Sequence, residues 1–283
     1  MKNEYIKSNL HTHSAFCDGK DSLEENVLAA IQKNISTLGF TSHSMYPFWS
    51  DTYMRPEDFN SYCGEIRRLK ERYAEKIIIR LGFEADFIPG VSLPRSENYS
   101  DFAPDYLIGS VHFIFQRAGA FALDKSFQIL NDGAKKYYGG DFRPLIRDYF
   151  SLQKEMLEKG DFAIIAHADL IRKFNEKNPF FNESEEWYKS ELRELAKAIA
   201  KKGVAAEVNT GAMSRGYLTR PYPCEYFLEL LNEFKIPVAI TADSHSARNL
   251  DYAFDLAAAL TKKAGYKEVI YDIDKNGYKF CKI

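Results

Sequence analysis

The sequence predicts an α/β fold, a parallel sheet closed by helices. Three observations predict it. Short apolar runs alternate with longer amphipathic stretches about seven times along the 283 residues. Most of the runs are rich in Ile, Val, Leu and Phe without polar alternation, as in strands covered on both faces. No low-complexity segment, fixed-period repeat or Pro/Gly/Ser-rich linker interrupts them, so residues 1–283 read as a single domain. At this length a TIM-like barrel is favoured over an open doubly wound sheet, although periodicity alone leaves the open sheet as a competitor.

The expected strands are Tyr5–Leu10, Thr37–Thr41, Ile77–Phe83, Tyr106–Val111, Phe162–Ala166, Val204–Val208 and Val238–Thr241. Helices are expected between them. Ser22 precedes LEENVLAAIQKN as an N-cap with acids in the first turn. Pro56 opens a stretch in which Phe59, Ile66 and Leu69 share one face. Others are expected over Arg143–Lys159, Glu183–Lys202, Pro223–Phe234 and Ala247–Ala264.

Composition excludes several classes. The 38 Lys and Arg against 40 Asp and Glu leave a formal charge of −2, so the electrostatic basis of a nucleic-acid or anionic-membrane binder is missing. No run approaches the ~18 apolar residues of a membrane span, and the N-terminus lacks a signal-peptide apolar core. Cys17, Cys63, Cys224 and Cys281 are scattered, with no Cys-x-x-Cys pair, which favours reduced thiols and a cytoplasmic location. Neither G-x-G-x-x-G after the first strand nor G-x-x-x-x-G-K-[ST] occurs, so nucleotide-binding readings lose their main support.

Histidine is scarce, with six in the chain, and all six fall at or just beyond the C-terminal end of an expected strand. His11 and His13 follow the first, His43 the second, His112 the fourth, His167 the fifth and His245 the seventh. In a β/α barrel that rim is the catalytic face. Side chains two apart on a strand point to one side, so both rings of His11-Thr12-His13 can share an ion. Six imidazoles on one rim gain little from each other, and metal ions resolve that conflict. Glu84, Asp243 and Asp18 occur at matching places, and a two-oxygen carboxylate such as Glu84 can bridge two cations. Asp86 is left out, as a solvated or capping residue.

With these residues in hand, the chain resembles the PHP family of polymerase and histidinol phosphatase domains. The motifs HTHSAFCDG, GFTSHS, GFEADF, IGSVHF, IAHADL and TADSHS run in order nearly end to end, and with EVNTGA they look most like the stand-alone histidinol-phosphatase branch. The resemblance implies a distorted seven-stranded (β/α) barrel with three divalent ions (zinc, manganese or iron). One would take His11, His13, Glu84 and Asp243. A second would take Glu84, His112 and His167, and a third Asp18, His43 and His245. Glu84, Asp243 and His245 are the expected catalytic residues. Some relatives carry His near Asp18, and many carry Glu where this chain has Ser42; Ser42 could bond substrate or water, or simply be a small residue beneath the site.

The implied reaction is hydrolysis of L-histidinol phosphate to L-histidinol and phosphate, by a metal-bound hydroxide. Phosphate monoesters need accelerations of up to ~10²¹, roughly 29 kcal/mol, whereas one acid or base contributes about 10²–10⁴. Lys173 and Arg215, in expected loops at the active rim, are the candidate phosphate cations by the same resemblance. Arg172 reads as a solvated surface charge, and Phe48, Trp49 and Tyr53 could shape the far end of the pocket. The expected partner is a small phosphate monoester, with no nucleic acid and no membrane, and the sequence leaves the oligomeric state unknown. Alternatives are a phosphoesterase acting on another small phosphate ester or nucleotide, an amidohydrolase, and a non-catalytic metal-binding module.

Overall fold

A computed structural model describes residues 6–44, 52–117 and 119–283. In chain order the elements are β1 (Ser8–Asn9), α1 (Leu23–Gln32), β2 (Thr37–Phe40), α2 (Phe59–Arg72), β3 (Ile78–Asp86) and β4 (Tyr106–Ser110). A hairpin, β5 (Phe113–Gln116) and β6 (Gly119–Ala122), leads to α3 (Phe127–Tyr138) and α4 (Phe142–Lys159). Then come β7 (Ile164–Ile165), α5 (Glu186–Lys202), β8 (Ala205–Asn209), α6 (Gly211–Ser214), α7 (Glu225–Glu233) and β9 (Val238–Thr241). The chain closes with α8 (Phe254–Lys263), β10 (Glu268–Asp274) and β11 (Gly277–Lys282).

The main sheet has the order β1-β2-β3-β4-β7-β8-β9-β10-β11. Pairing is parallel from β1 to β10, and β11 returns antiparallel on β10. Each expected strand is found where the apolar runs lie, but the count of seven is corrected to nine among the described residues. The two additional strands come from EVIYDIDKNGYKF, where Asn276-Gly277 is a hairpin-turn signal. The rim of the sheet also curls back on itself. Thr12, beyond β1, forms a parallel bridge with Ser244, beyond β9, and His13 N–H donates to Ser244 O at 2.8 Å.

Alternation within the strands builds two apolar layers. Tyr106, Ile108, Ile164, Ala205 and Ala239 form one cluster, while their neighbours Leu107, Ile165, Ala206 and Ile240 belong to the larger core shared with the helices. Gly39 leaves space in the inner layer: a Cβ there would overlap the Tyr106 hydroxyl, which donates to Leu10 O at 2.5 Å. Helix ends follow local chemistry. Ser22 and Glu25 form a reciprocal capping box at α1, and Gly139 and Gly203, both left-handed, stop α3 and α5. The single helix expected over Ala247–Ala264 is instead a short 3₁₀ turn, Ala247–Asn249, followed by α8, with Ala253 at φ 54° between them.

Candidate active site

The loops beyond the C-terminal ends of the parallel strands carry all six histidines. His11 and His13 follow β1, and their Nε2 atoms lie 3.1 Å apart. An isolated bridge, His43 to Glu84, keeps the segment after β2 against β3, and Ser44 N–H donates to Glu84 O at 2.9 Å. His112 follows β4, His167 follows β7, and Asp243 and His245 follow β9. Asp243 has φ 44°, a left-handed conformation for a residue with a Cβ. Gly211 makes room for it, because a Cβ at 211 would stand 2.7 Å from Asp243 Oδ2.

Glu84 occupies the centre of this cluster and is 1% exposed. Its Oε1 lies 3.0 Å from His167 Nε2 and 3.5 Å from His112 Nε2. Its Oε2 lies 3.2 Å from His11 Nε2, 3.5 Å from His13 Nε2 and 3.1 Å from His43 Nδ1. Asp243 Oδ1 lies 3.1 Å from His13 Nε2 and 3.7 Å from His11 Nε2. Asp18 Oδ1 is 3.3 Å from His245 Nε2, 3.6 Å from His13 Nδ1 and 4.0 Å from His43 Nε2. Buried Asp18 Oδ1 and His43 Nδ1 have no hydrogen-bond partner among the described residues. Donor atoms within 4.8 Å of one another form three groups: His13–Asp18–His43–His245, His11–His13–Asp243 and His43–Glu84–His112. All nine expected metal ligands are thus brought together. The groups divide them differently from the expected sets, with His13 and His43 shared and His167 attached through Glu84.

Electrostatics set these groups against each other. Burial, with His245 and His43 beside it, pushes His13 down to about 3. Burial also opposes charge on His112, yet Asp86 and Glu84 carry it up to about 10. His11 is raised well above the imidazole range because Glu207, Glu84 and Asp243 outweigh its burial. Glu84 and Asp243 are themselves buried but held well below the carboxylate range, Glu84 by His43, His11 and His112, and Asp243 by Arg215 and His11.

Two buried carboxylates that sequence reasoning passed over hold the rings. Asp86 Oδ1 accepts from His112 Nδ1 at 2.6 Å and from Ser110 Oγ at 2.8 Å, and its Oδ2 accepts the Tyr53 hydroxyl. At 2% exposure Asp86 is neither solvated nor a cap. Glu207 Oε1 accepts from His11 Nδ1 at 2.6 Å, while Oε2 accepts from His167 N–H at 3.0 Å and Asn209 Nδ2 at 2.9 Å. Both rings therefore turn Nε2 inward. Period-two spacing was the available signal: Asp86 shares a strand face with Glu84, and Glu207 is a lone acid within apolar VAAEV.

Arg215 and Lys173 both line the cavity of about 900 Å³ that opens onto the cluster. Arg215 Nη2 is 3.0 Å from Asp243 Oδ2, and Nη1 is 2.9 Å from His245 Nδ1. Lys173 Nζ donates to Asp124 O at 2.7 Å and Oδ2 at 3.1 Å. Arg172 is not the solvated charge expected; it is buried and paired with Glu183 at 3.1 Å and Pro221 O at 3.2 Å. Ser42 Oγ sits 3.0 Å from Ser14 Oγ, fully buried. Tyr53 lines the cavity, whereas Phe48 and Trp49 lie outside the described residues. All four cysteines are free, and among the described residues no helix is long and apolar enough to cross a membrane.

A protein named "Probable histidinol-phosphatase" from Schizosaccharomyces pombe is 30% identical over 273 residues, spanning 90% of this chain and 86% of that one. Another of the same name from Deinococcus radiodurans is 28% identical over 264 residues, spanning 92% and 95%. The crystal structure of histidinol phosphate phosphatase from Lactococcus lactis, complexed with zinc, L-histidinol and phosphate, superposes with a TM-score of 0.74 at 22% identity, covering 96% of this chain and 98% of that one. At that identity the superposition speaks for the fold. The PHP domain model matches residues 9–211, the stretch that carries five of the six histidines, and the chain belongs to the PHP family.

Proposed function

We propose that this chain is a metal-dependent histidinol-phosphatase of histidine biosynthesis, cleaving L-histidinol phosphate to L-histidinol and phosphate. The observation that carries the reading is Glu84, buried, with one oxygen turned to His112 and His167 and the other to His11, His13 and His43. That is the disposition a bridging carboxylate needs. The relatives' names support the substrate. Residues 1–283 then act as one domain, a distorted β/α barrel closed through the Thr12–Ser244 bridge, in the cytoplasm.

The residues fit divalent cations. Orphaned Asp18 Oδ1 and His43 Nδ1 are buried ligand-type atoms, and the donor set of imidazoles and carboxylates without thiolate suits zinc, manganese or iron. We assign His11, His13, Glu84 and Asp243 to one ion, Glu84, His112 and His167 to a second, and Asp18, His43 and His245 to a third. Bound there, the ions would supply Lewis acidity, lowering the pKa of water towards about 7 and offsetting phosphoryl charge.

The chain's own groups do the rest. Glu84, Asp243 and His245 stand at the reacting end of the cavity and fix the geometry there. Arg215 is poised to grip phosphate with the guanidinium edge not taken by Asp243, and Lys173 adds a point charge. Asp86 and Glu207 hold His112 and His11 in one orientation through the reaction. Chelation should abolish phosphate release from L-histidinol phosphate, and Zn²⁺ or Mn²⁺ should restore it. Faster hydrolysis of bis(p-nitrophenyl) phosphate by the same preparation would overturn the monoester reading. A cavity of about 900 Å³ keeps one second reading in view, a different small phosphate ester.

A further inference from the structure

One wall of the cavity is built by the β5–β6 hairpin. The hairpin folds back on its own starting point: Phe113 pairs with Ala122, and Leu123 N–H donates to His112 O at 2.8 Å. The chain is thereby returned to the rim, and the next residue, Asp124, enters the cavity beside His112. Among the described residues lining the cavity, four are carboxylates: Asp18, Glu84, Asp124 and Asp243. Three of them face the imidazole cluster. Asp124 is hydrogen-bonded to Lys173 instead, with its Oδ2 on Nζ at 3.1 Å, while the charges of His112 and His167 act on it from nearby.

The Asp124–Lys173 pair thus presents a cation and an anion side by side in the cavity that Arg215 also lines. Lys173 is itself fixed, held by the Asp124 backbone oxygen at 2.7 Å and lying over the Tyr217 ring at 5.0 Å. An ester whose phosphate is held by Lys173 would bring the substituent on the carbon beyond its ester methylene within reach of Asp124, which shares that lysine. In L-histidinol phosphate that substituent is a primary amine, protonated at neutral pH. Amine-free phosphate esters leave the carboxylate with only its lysine. A buried charge-assisted hydrogen bond discriminates strongly between ligands that make it and ligands that lack it.

Resting on the histidinol-phosphatase reading, we propose that Asp124 is a specificity-determining residue that binds the substrate ammonium group, so that the enzyme selects phosphate monoesters bearing an amine on the carbon next to the ester methylene.

The test compares kcat/KM for L-histidinol phosphate, for its deaminated analogue 3-(imidazol-4-yl)propyl phosphate, and for p-nitrophenyl phosphate, in wild type, Asp124→Asn and Asp124→Ser, all metal-loaded. Wild type should prefer the amine-bearing ester by about 10-fold or more over its deaminated analogue. Both variants should lose that preference while keeping activity on the two amine-free esters, which also reports that they are folded. Equal loss on all three substrates would mean that Asp124 serves only to hold Lys173, and would overturn the proposal. So would a variant that keeps the wild-type preference. A wild-type protein that hydrolyses p-nitrophenyl phosphate but not L-histidinol phosphate would instead overturn the functional reading, and this inference with it.

Discussion

Glu207 contacts two separate parts of the cluster from outside it, and its removal can be worked through quantitatively. Its carboxylate accepts three bonds: from His11 Nδ1 at 2.6 Å, His167 N–H at 3.0 Å and Asn209 Nδ2 at 2.9 Å. Glu207→Gln cannot satisfy all three. If its carbonyl oxygen takes His11, its amide NH₂ faces two other donors. If it is flipped, NH₂ meets the His11 Nδ1–H, and the ring must rotate or change tautomer, turning Nε2–H towards Glu84. Loss of such an outer partner costs about 10- to 100-fold in metal affinity, or about 1.4 to 2.7 kcal/mol. Gln should fall near the lower figure. Glu207→Ala, which strands three buried donors, should fall near the higher one and also lower the melting temperature. Equilibrium competition with a chromophoric chelator measures affinity directly, and NMR titration of the metal-free protein should show the His11 pKa falling once Glu207 is gone. Glu207→Gln with wild-type metal affinity and an unshifted His11 would refute the argument.

Three further outcomes follow from the same structure. Gly211→Ala places a methyl 2.7 Å from Asp243 Oδ2 and 3.0 Å from Arg215 Nη2, so kcat/KM should drop by about 10²-fold while circular dichroism stays unchanged; wild-type kinetics would show that Asp243 tolerates displacement. Asp86→Asn should weaken metal binding about 10-fold, read by metal content after dialysis, because the Nδ1–H of His112 loses its charged acceptor. Asp272 is buried, but the bidentate Arg80 contact, 2.7 Å on each oxygen, and Lys279 hold its carboxyl below the ordinary value. Below about pH 4 the unfolded chain therefore binds more protons than the folded one, so this stabilisation is complete above pH 4 and fades as pH falls through the lower folded value. Asp272→Asn should cost about 3 kcal/mol at pH 7 in urea denaturation and flatten the acid limb; an unchanged acid limb would count against the pair.

The parts of the fold legible in the sequence were those governed by local patterning. Parallel strands buried on both faces read as apolar runs, so β2, β4 and β9 lie within a residue or two of their expected bounds. The β5–β6 hairpin and α3 were missed, because FIFQRAGAF alternates weakly and pairs only with itself, away from the main sheet. The ligand-type residues were legible because strand ends recur on one rim. Their supports were less so, because what makes Asp86 and Glu207 functional is a partner on another strand. Arg172 was misread for the same reason: Glu183 and Pro221, which bury its charge, lie 11 and 49 residues away.

The Thr12–Ser244 bridge has a consequence for assembly of the molecule. It joins positions far apart in the sequence, and His13 meets Asp243 and Asp18 meets His245 across that seam. Contacts of such long sequence separation form late, after shorter loops have closed. The Asp243 and His245 side of the cluster is therefore added last, and a cation held there would act as a clasp on the last-formed joint. Amide protons of residues 11–13 and 243–245 should accordingly exchange faster when the ions are stripped, ahead of those in β3 and β4.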